Sequence, residues 1–177
     1  MTDGRLDVAQ INGMSQAEFV EALGGVFEHS PWVAAGTWAA RPLESADGLH
    51  KAMMETVRGA PDEEKLGLLR AHPDLAGKAA RIGTMTADST SEQSRAGLDH
   101  LSDAEYERFN RLNSAYREKF DFPFIIAVRN HTLESILAAF EERLGHTIEH
   151  EIETALGEIG AITRLRLNAL IGEPADA

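Results

Sequence analysis

Apolar residues recur along most of this chain at spacings of three and four, and hydroxyl or acidic residues stand where each run begins. Ser15-Gln16-Ala17-Glu18 forms a capping box, after which Phe19, Val20 and Leu23 share one helical face that stops at Gly24-Gly25. Ser30-Pro31-Trp32 places proline just inside a second short helix carrying Val33 and Trp38. Asp47 is the expected cap of a third, with Leu49, Met53 and Val57 at four-residue spacing. Pro61-Asp62-Glu63-Glu64 opens a fourth, acidic in its first turn as the helix dipole favours, running through Leu66 and Leu69 towards His72.

Residues 75–82 read as another short helix closed by Gly83, and Ser89, Thr90 and Ser91 offer N-caps for a helix carrying Glu92 and Gln93. A second capping box, Ser102-Asp103-Ala104-Glu105, starts a long amphipathic helix through Tyr106, Phe109, Leu112, Asn113, Tyr116 and Phe120. The run FDFPFIIAV then breaks the helical period: it is nearly all apolar and interrupted by Pro123, which predicts a buried extended segment. Thr132 caps the next helix, ended by Gly145, and a last long helix runs from Thr147 through Ile152, Leu156, Ile159 and Leu170. No stretch sustains two-residue alternation. The expectation is an all-α, single-domain bundle of roughly eight or nine helices with one buried extended segment at about 121–128. Residues 1–12 read as a polar lead-in, 13–171 as the domain and 172–177 as a tail.

Composition narrows the function. At 177 residues with 43% hydrophobic and 26% charged side chains, the chain is ordinary globular material, able to bury roughly two-thirds of its unfolded surface. The lack of cysteine excludes disulfides and thiolate metal sites. A net charge of −12, from 17 basic against 29 acidic residues, argues against nucleic acid or an anionic membrane as the main partner. No apolar run approaches the roughly 20 residues that span a bilayer. The opening MTDGRLDVAQING lacks a signal peptide's apolar core, and the closing EPADA is no peroxisomal address. A cytoplasmic protein is expected.

The stretch hardest to explain as packing runs from His72 to Gln93. Pro73 donates no backbone hydrogen bond and pushes the residue before it out of the α region, so His72 should project from a helix end. His72 and Glu92 lie 20 positions apart (92 − 72) and meet only if the chain folds back between them. A carboxylate reaching that imidazole could fix its tautomer and support proton transfer near neutral pH. Taken singly, a histidine before proline is usually a helix-end group satisfied by a carbonyl, and a Ser/Thr run before Glu-Gln is usually a helix start.

His146-Thr147-Ile148-Glu149-His150 matches the H-x-x-E-H pattern of inverted zinc peptidases. On a continuous helix its two histidines fall on the solvent face. If Gly145 breaks the helix, His146 precedes the first turn and the pair loses that geometry. No metal site is assigned. His29, His50, His100 and His131 have no partner at a recognisable spacing and read as surface or capping groups. Neither G-x-G-x-x-G, a P-loop nor G-x-S-x-G occurs, and Ser89, Ser91 and Ser94 lack a base specified by spacing.

Order and spacing together resemble one family, the 2-oxo-4-hydroxy-4-carboxy-5-ureidoimidazoline (OHCU) decarboxylases of purine catabolism. The matching pieces are Phe19-Val20-Glu21-Ala22-Leu23-Gly24 with Ser30-Pro31-Trp32, and His72-Pro73-Asp74-Leu75-Ala76-Gly77. They continue with Ser89-x-x-Glu92-Gln93, Phe122-Pro123-Phe124-Ile125-Ile126-Ala127-Val128-Arg129 and Arg164-Leu165-Arg166-Leu167. Together they span residues 13–170, and the set is far more specific than any member. The resemblance implies an all-helical, usually dimeric enzyme without cofactor or metal, converting OHCU, a small molecule, to (S)-allantoin and CO2.

It implies His72 as the catalytic acid/base and Glu92 as its partner. Pro73, Ser89 and Gln93 would line the substrate pocket. The backbone of Phe124, Ile125, Ile126, Ala127 and Val128 would bind ring and ureido groups, and Arg129 an anionic group. A different class, a non-catalytic helical interaction module with His72 as a mere terminus, is the alternative.

Overall fold

Hydroxyl side chains start most of the helices. The computed structural model of the chain describes residues 5–76 and 84–172. Among these, nine α-helices are formed: α1 (Val8–Gly13), α2 (Gln16–Leu23), α3 (Trp32–Thr37), α4 (Ala46–Gly59), α5 (Asp62–Ala71), α6 (Ala87–Arg95), α7 (Asp103–Phe120), α8 (Leu133–Arg143) and α9 (Ile148–Leu170). Short 3-10 turns occupy Trp38–Ala40 and Val128–Asn130. The described residues contain no strand beyond one isolated bridge between Leu6 and Ile171, so the all-α expectation is borne out. The anticipated capping boxes at Ser15, Ser102 and the cap at Thr132 are all present.

Three local expectations are corrected. Helix α4 is capped by Ser45, not Asp47: the Ser45 hydroxyl accepts from Gly48 N–H at 3.0 Å, while Asp47 sits inside the first turn and pairs with Arg164 at 2.8 Å. The helix carrying Glu92 starts earlier than the serines, because Thr86 accepts from Ser89 N–H at 3.3 Å and leaves Ser89 within the helix. The polar lead-in carries a helix of its own, α1, opened by an Asp7/Gln10 capping box and burying Ile11. The helix expected over 75–82 lies largely outside the described residues; Leu75 and Ala76 themselves form a turn.

The fold divides into two compact units, 5–68 with 160–172, and 69–159. In the first, α3 packs on α2 and α4 around Phe19, Leu23, Val33, Leu49, Met53 and Val57, all buried. Gly36 permits the α3–α4 approach, since a Cβ there would stand 2.7 Å from the Thr56 methyl carbon. A buried ion pair joins Glu28 to Arg166 at 2.9 Å. In the second unit, an aromatic cluster forms the core: Phe109, Tyr116 and Phe120 from α7, Phe140 from α8, and Phe122 and Phe124 from the segment between them. Phe124 stacks on Phe140 with centroids 3.7 Å apart. Asp121 ends α7 in the left-handed conformation (φ 62°), and the Arg70 guanidinium grips both its carbonyl, at 3.0 Å, and its carboxylate. Residues 122–127 follow as a buried run without helix or strand, which is the burial anticipated from FDFPFIIAV.

Candidate active site

The structure places His72 immediately beyond α5, as Pro73 requires, with its N–H donating to Leu69 C=O at 3.3 Å. The imidazole is enclosed: the residue is 6% exposed. Three side chains hold the loop that follows it. Asn113 Nδ2, on α7, donates to Leu75 C=O at 2.9 Å, and Arg117 Nε one turn later pairs with the Asp74 carboxylate at 2.8 Å. The third is Gln93 on α6. Its Oε1 accepts from Ala76 N–H at 2.9 Å, and its Nε2 donates to Asp74 C=O at 3.2 Å and to Met85 Sδ at 3.4 Å. Ala76 adopts φ 49°, a strained conformation for a residue with a Cβ, and the Gln93 bond holds it there.

Gln93 therefore fastens the loop carrying His72 to the helix carrying Glu92. On α6, Ser89 and Gln93 share the buried side one turn apart, Glu92 is half-buried beside them, and Pro73 is half-buried across the loop. The same helix packs against the 3-10 turn Val128–Asn130. Three pieces remote in sequence thus lie side by side: the His72 loop, the Ser89/Glu92/Gln93 helix, and the end of the 124–128 segment.

Along that segment Phe124, Ile125, Ile126, Ala127 and Val128 are all buried, whereas Arg129 is exposed on the turn. Its backbone is not uniformly available. Ile125 C=O accepts from Arg143 Nη1 at 2.7 Å, Ala127 N–H donates to Glu158 Oε2 at 2.8 Å, and Ala127 C=O accepts from Asn130 N–H at 3.0 Å. Phe124 and Ile126 differ: no described residue hydrogen-bonds the N–H or C=O of either, although they are 0% and 4% exposed. Buried backbone groups are nearly always paired, so this stretch of backbone suits a polar ligand.

Sequence reasoning missed the charges behind this wall. Glu151 is fully buried and accepts from the Tyr116 hydroxyl at 2.6 Å and Arg143 Nε at 2.6 Å, with His146 Nδ1 2.9 Å from its other oxygen. Burial first, then the Glu151 hydrogen bond and charge, push the Tyr116 phenol well above its ordinary range. The available signal was a charge on an apolar face: Arg143 continues the Ile136/Phe140 stripe of α8, and Glu151 opens the Ala155/Ile159 stripe of α9. His146 precedes α9, as a break at Gly145 implies, and its ring lies 4.2 Å from that of His150. Among the described residues, no three His, Asp or Glu side chains gather as a metal site. Two of the remaining histidines have side-chain roles: His131 bonds Ser135 near the α8 cap, while His50 is half-buried and bonds Thr163 at 3.1 Å, a contact 113 residues apart that no spacing reveals.

Comparison with known proteins agrees across the chain. The family model for OHCU decarboxylase matches residues 12–168. A 2-oxo-4-hydroxy-4-carboxy-5-ureidoimidazoline decarboxylase of Halalkalicoccus jeotgali is 46% identical over 94% of this chain and 92% of its own length. One of Haloferax volcanii is 45% identical, covering 92% of this chain and 94% of that one. A crystal structure of (S)-allantoin synthase superposes with a TM-score of 0.72 at 37% identity, over 94% of this chain. The chain spans about half, 54%, of that longer protein.

Proposed function

The chain belongs to the OHCU decarboxylase family, and we propose that it converts OHCU to (S)-allantoin and CO2, with His72 moving the proton and Glu92 orienting the imidazole. The observation that carries this reading is the double anchorage of α6: Gln93 binds the backbone on either side of Leu75, and the helix packs on the Val128–Asn130 turn.

OHCU contains its own electron sink. When the bond from the hydroxylated ring carbon to the carboxylate breaks, its electron pair forms a double bond to the ureido-bearing carbon. The neighbouring C=N pair moves onto nitrogen, which takes a proton. The resulting enol loses its hydroxyl proton while the ureido-bearing carbon gains one, so the net change is one proton in and CO2 out. This chemistry asks the protein for an enclosed site, a proton-transfer group and delivery to one face. An imidazole meets the second demand near neutral pH, and such general acid–base assistance is worth about 10²–10⁴-fold.

Pro73, Ser89 and Gln93 line the pocket in this reading. The Ile126 peptide, within the 124–128 wall, supplies a fixed donor and acceptor that orient the urea-like group. Arg129, exposed at the end of the wall, meets the anionic end of the substrate. Enclosure also strips water from the carboxylate, which favours loss of CO2 (hypothesis, motivated by the burial of His72 and the wall). We further infer a cytoplasmic homodimer acting on a small molecule without a cofactor. The net charge of −12 supports a partner other than nucleic acid or an anionic membrane. No helix among the described residues is long and apolar enough to cross a membrane.

Supplying freshly generated OHCU and following optical activity tests the reading. Spontaneous decay gives racemic allantoin; the protein is expected to give a single enantiomer, and a racemic product at the uncatalysed rate would refute it.

A further inference from the structure

Two side chains that the proposed reaction does not use hold the 124–128 wall, and they grip it on either side of Ile126. Arg143 on α8 donates to Ile125 C=O at 2.7 Å, and Glu158 on α9 accepts from Ala127 N–H at 2.8 Å. Ile126 stands between the two ties, and no described residue hydrogen-bonds its N–H or C=O.

Arg143 is itself fixed on three sides. Its Nε hydrogen-bonds Glu151 Oε1 at 2.6 Å, with Nη2 at ion-pair distance (2.5 Å), and its guanidinium carbon lies 4.3 Å from the centre of the Phe124 ring. The Tyr116 hydroxyl and His146 Nδ1 complete the shell around Glu151. A buried ion pair is weak support for stability, since well-packed apolar residues commonly replace one without loss. What apolar residues could not supply is a forked donor that places one backbone carbonyl while stacking on the adjacent ring.

We propose that Arg143 and Glu158 are positioning residues: they clamp the backbone on either side of Ile126 so that its N–H and C=O are presented to the ureido and ring groups of the substrate. The inference rests on the decarboxylase reading above. Loosening a wall that binds ground state and transition state alike raises KM and leaves kcat nearly unchanged, which a general structural defect does not do selectively.

Glu158 is only half-buried, so its variants should fold. In the full chain, Glu158→Ala is expected to raise KM for OHCU about 10-fold with kcat within about 3-fold, and Glu158→Gln, which keeps an acceptor oxygen, to restore most of the loss. The Kd for allantoin, measured by calorimetry, should weaken in parallel. Arg143→Lys keeps the charge but cannot reach Glu151 and Ile125 together, and should show the same split; if it fails to fold by circular dichroism, the Glu158 pair decides. KM and Kd within about 2-fold of wild type in Glu158→Ala, equal behaviour of the Gln and Ala variants, or a fall in kcat with KM intact would each overturn the proposal. Normal wild-type turnover with unaltered variants overturns the positioning role alone. A wild-type chain inert towards OHCU removes the functional reading and this inference with it.

Discussion

One amide does most of the joining around His72. Gln93 satisfies a donor at Ala76 and an acceptor at Asp74 while it is itself buried, so truncating it strands a backbone N–H inside the protein. Gln93→Ala should cost about 1–3 kcal/mol in denaturant unfolding. It should also reduce OHCU turnover, because the loop and α6 lose their direct bond; unaltered stability would show that the loop is held without it. His72, Glu92 and Gln93 were legible in the sequence as residue types that packing does not explain. The bond that assembles them was not, because Gln93 meets partners 17 and 19 positions away through side-chain–backbone geometry. Tyr116 gives a second residue-scale test. With its phenol pushed above the ordinary range, it remains a donor to Glu151 in alkali. The tyrosinate absorbance that develops up to about pH 11 should therefore be the same in the folded protein and in Tyr116→Phe. A smaller signal in the variant would contradict the buried hydrogen bond.

At the scale of elements, the chain announces most of its helices clearly, α1 excepted, and their first residues less so. Ser15, Ser102 and Thr132 each cap, and a glutamate three residues on, Glu18 or Glu105, marks the first two as capping boxes. Where good candidates crowd together, composition cannot choose: Ser45 prevails over Asp47, and Thr86 over the serines that follow, according to which oxygen reaches the N–H groups of the first turn. Ser45→Ala should then destabilise by about 1 kcal/mol, and Asp47→Ala by less, since its ion pair with Arg164 is largely exposed. Thermal unfolding of the two variants checks the order. The buried, non-helical run was legible because it is apolar, lacks a helical period and contains Pro123. The tethers at Ile125 and Ala127 were not, because Arg143 and Glu158 read as ordinary helix charges until burial and direction are known.

For the molecule as a whole, acid should loosen the first unit. His50 is half-buried between α4 and the C-terminal part of α9, which burial first, and then the Arg164 cation, hold below the ordinary imidazole value of 6.5. The nearby Asp47 charge and the Gly160 backbone oppose that shift without reversing it. The folded state therefore binds this proton less readily than the unfolded chain. Stability is fully present above about 6.5 and is lost as pH falls from there towards the lowered folded value. His50→Gln should flatten that part of the stability profile; an unchanged slope would assign the acid response elsewhere.

The central claim is that one imidazole and one carboxylate act as a unit on OHCU, and a double-mutant cycle in kcat/KM tests it most directly. The account predicts that His72→Ala and Glu92→Gln each lose at least about 10²-fold, that the double variant loses little more than the worse single one, and that helicity is retained in all three. Full turnover in His72→Ala, or losses that simply multiply in the double variant, would contradict it.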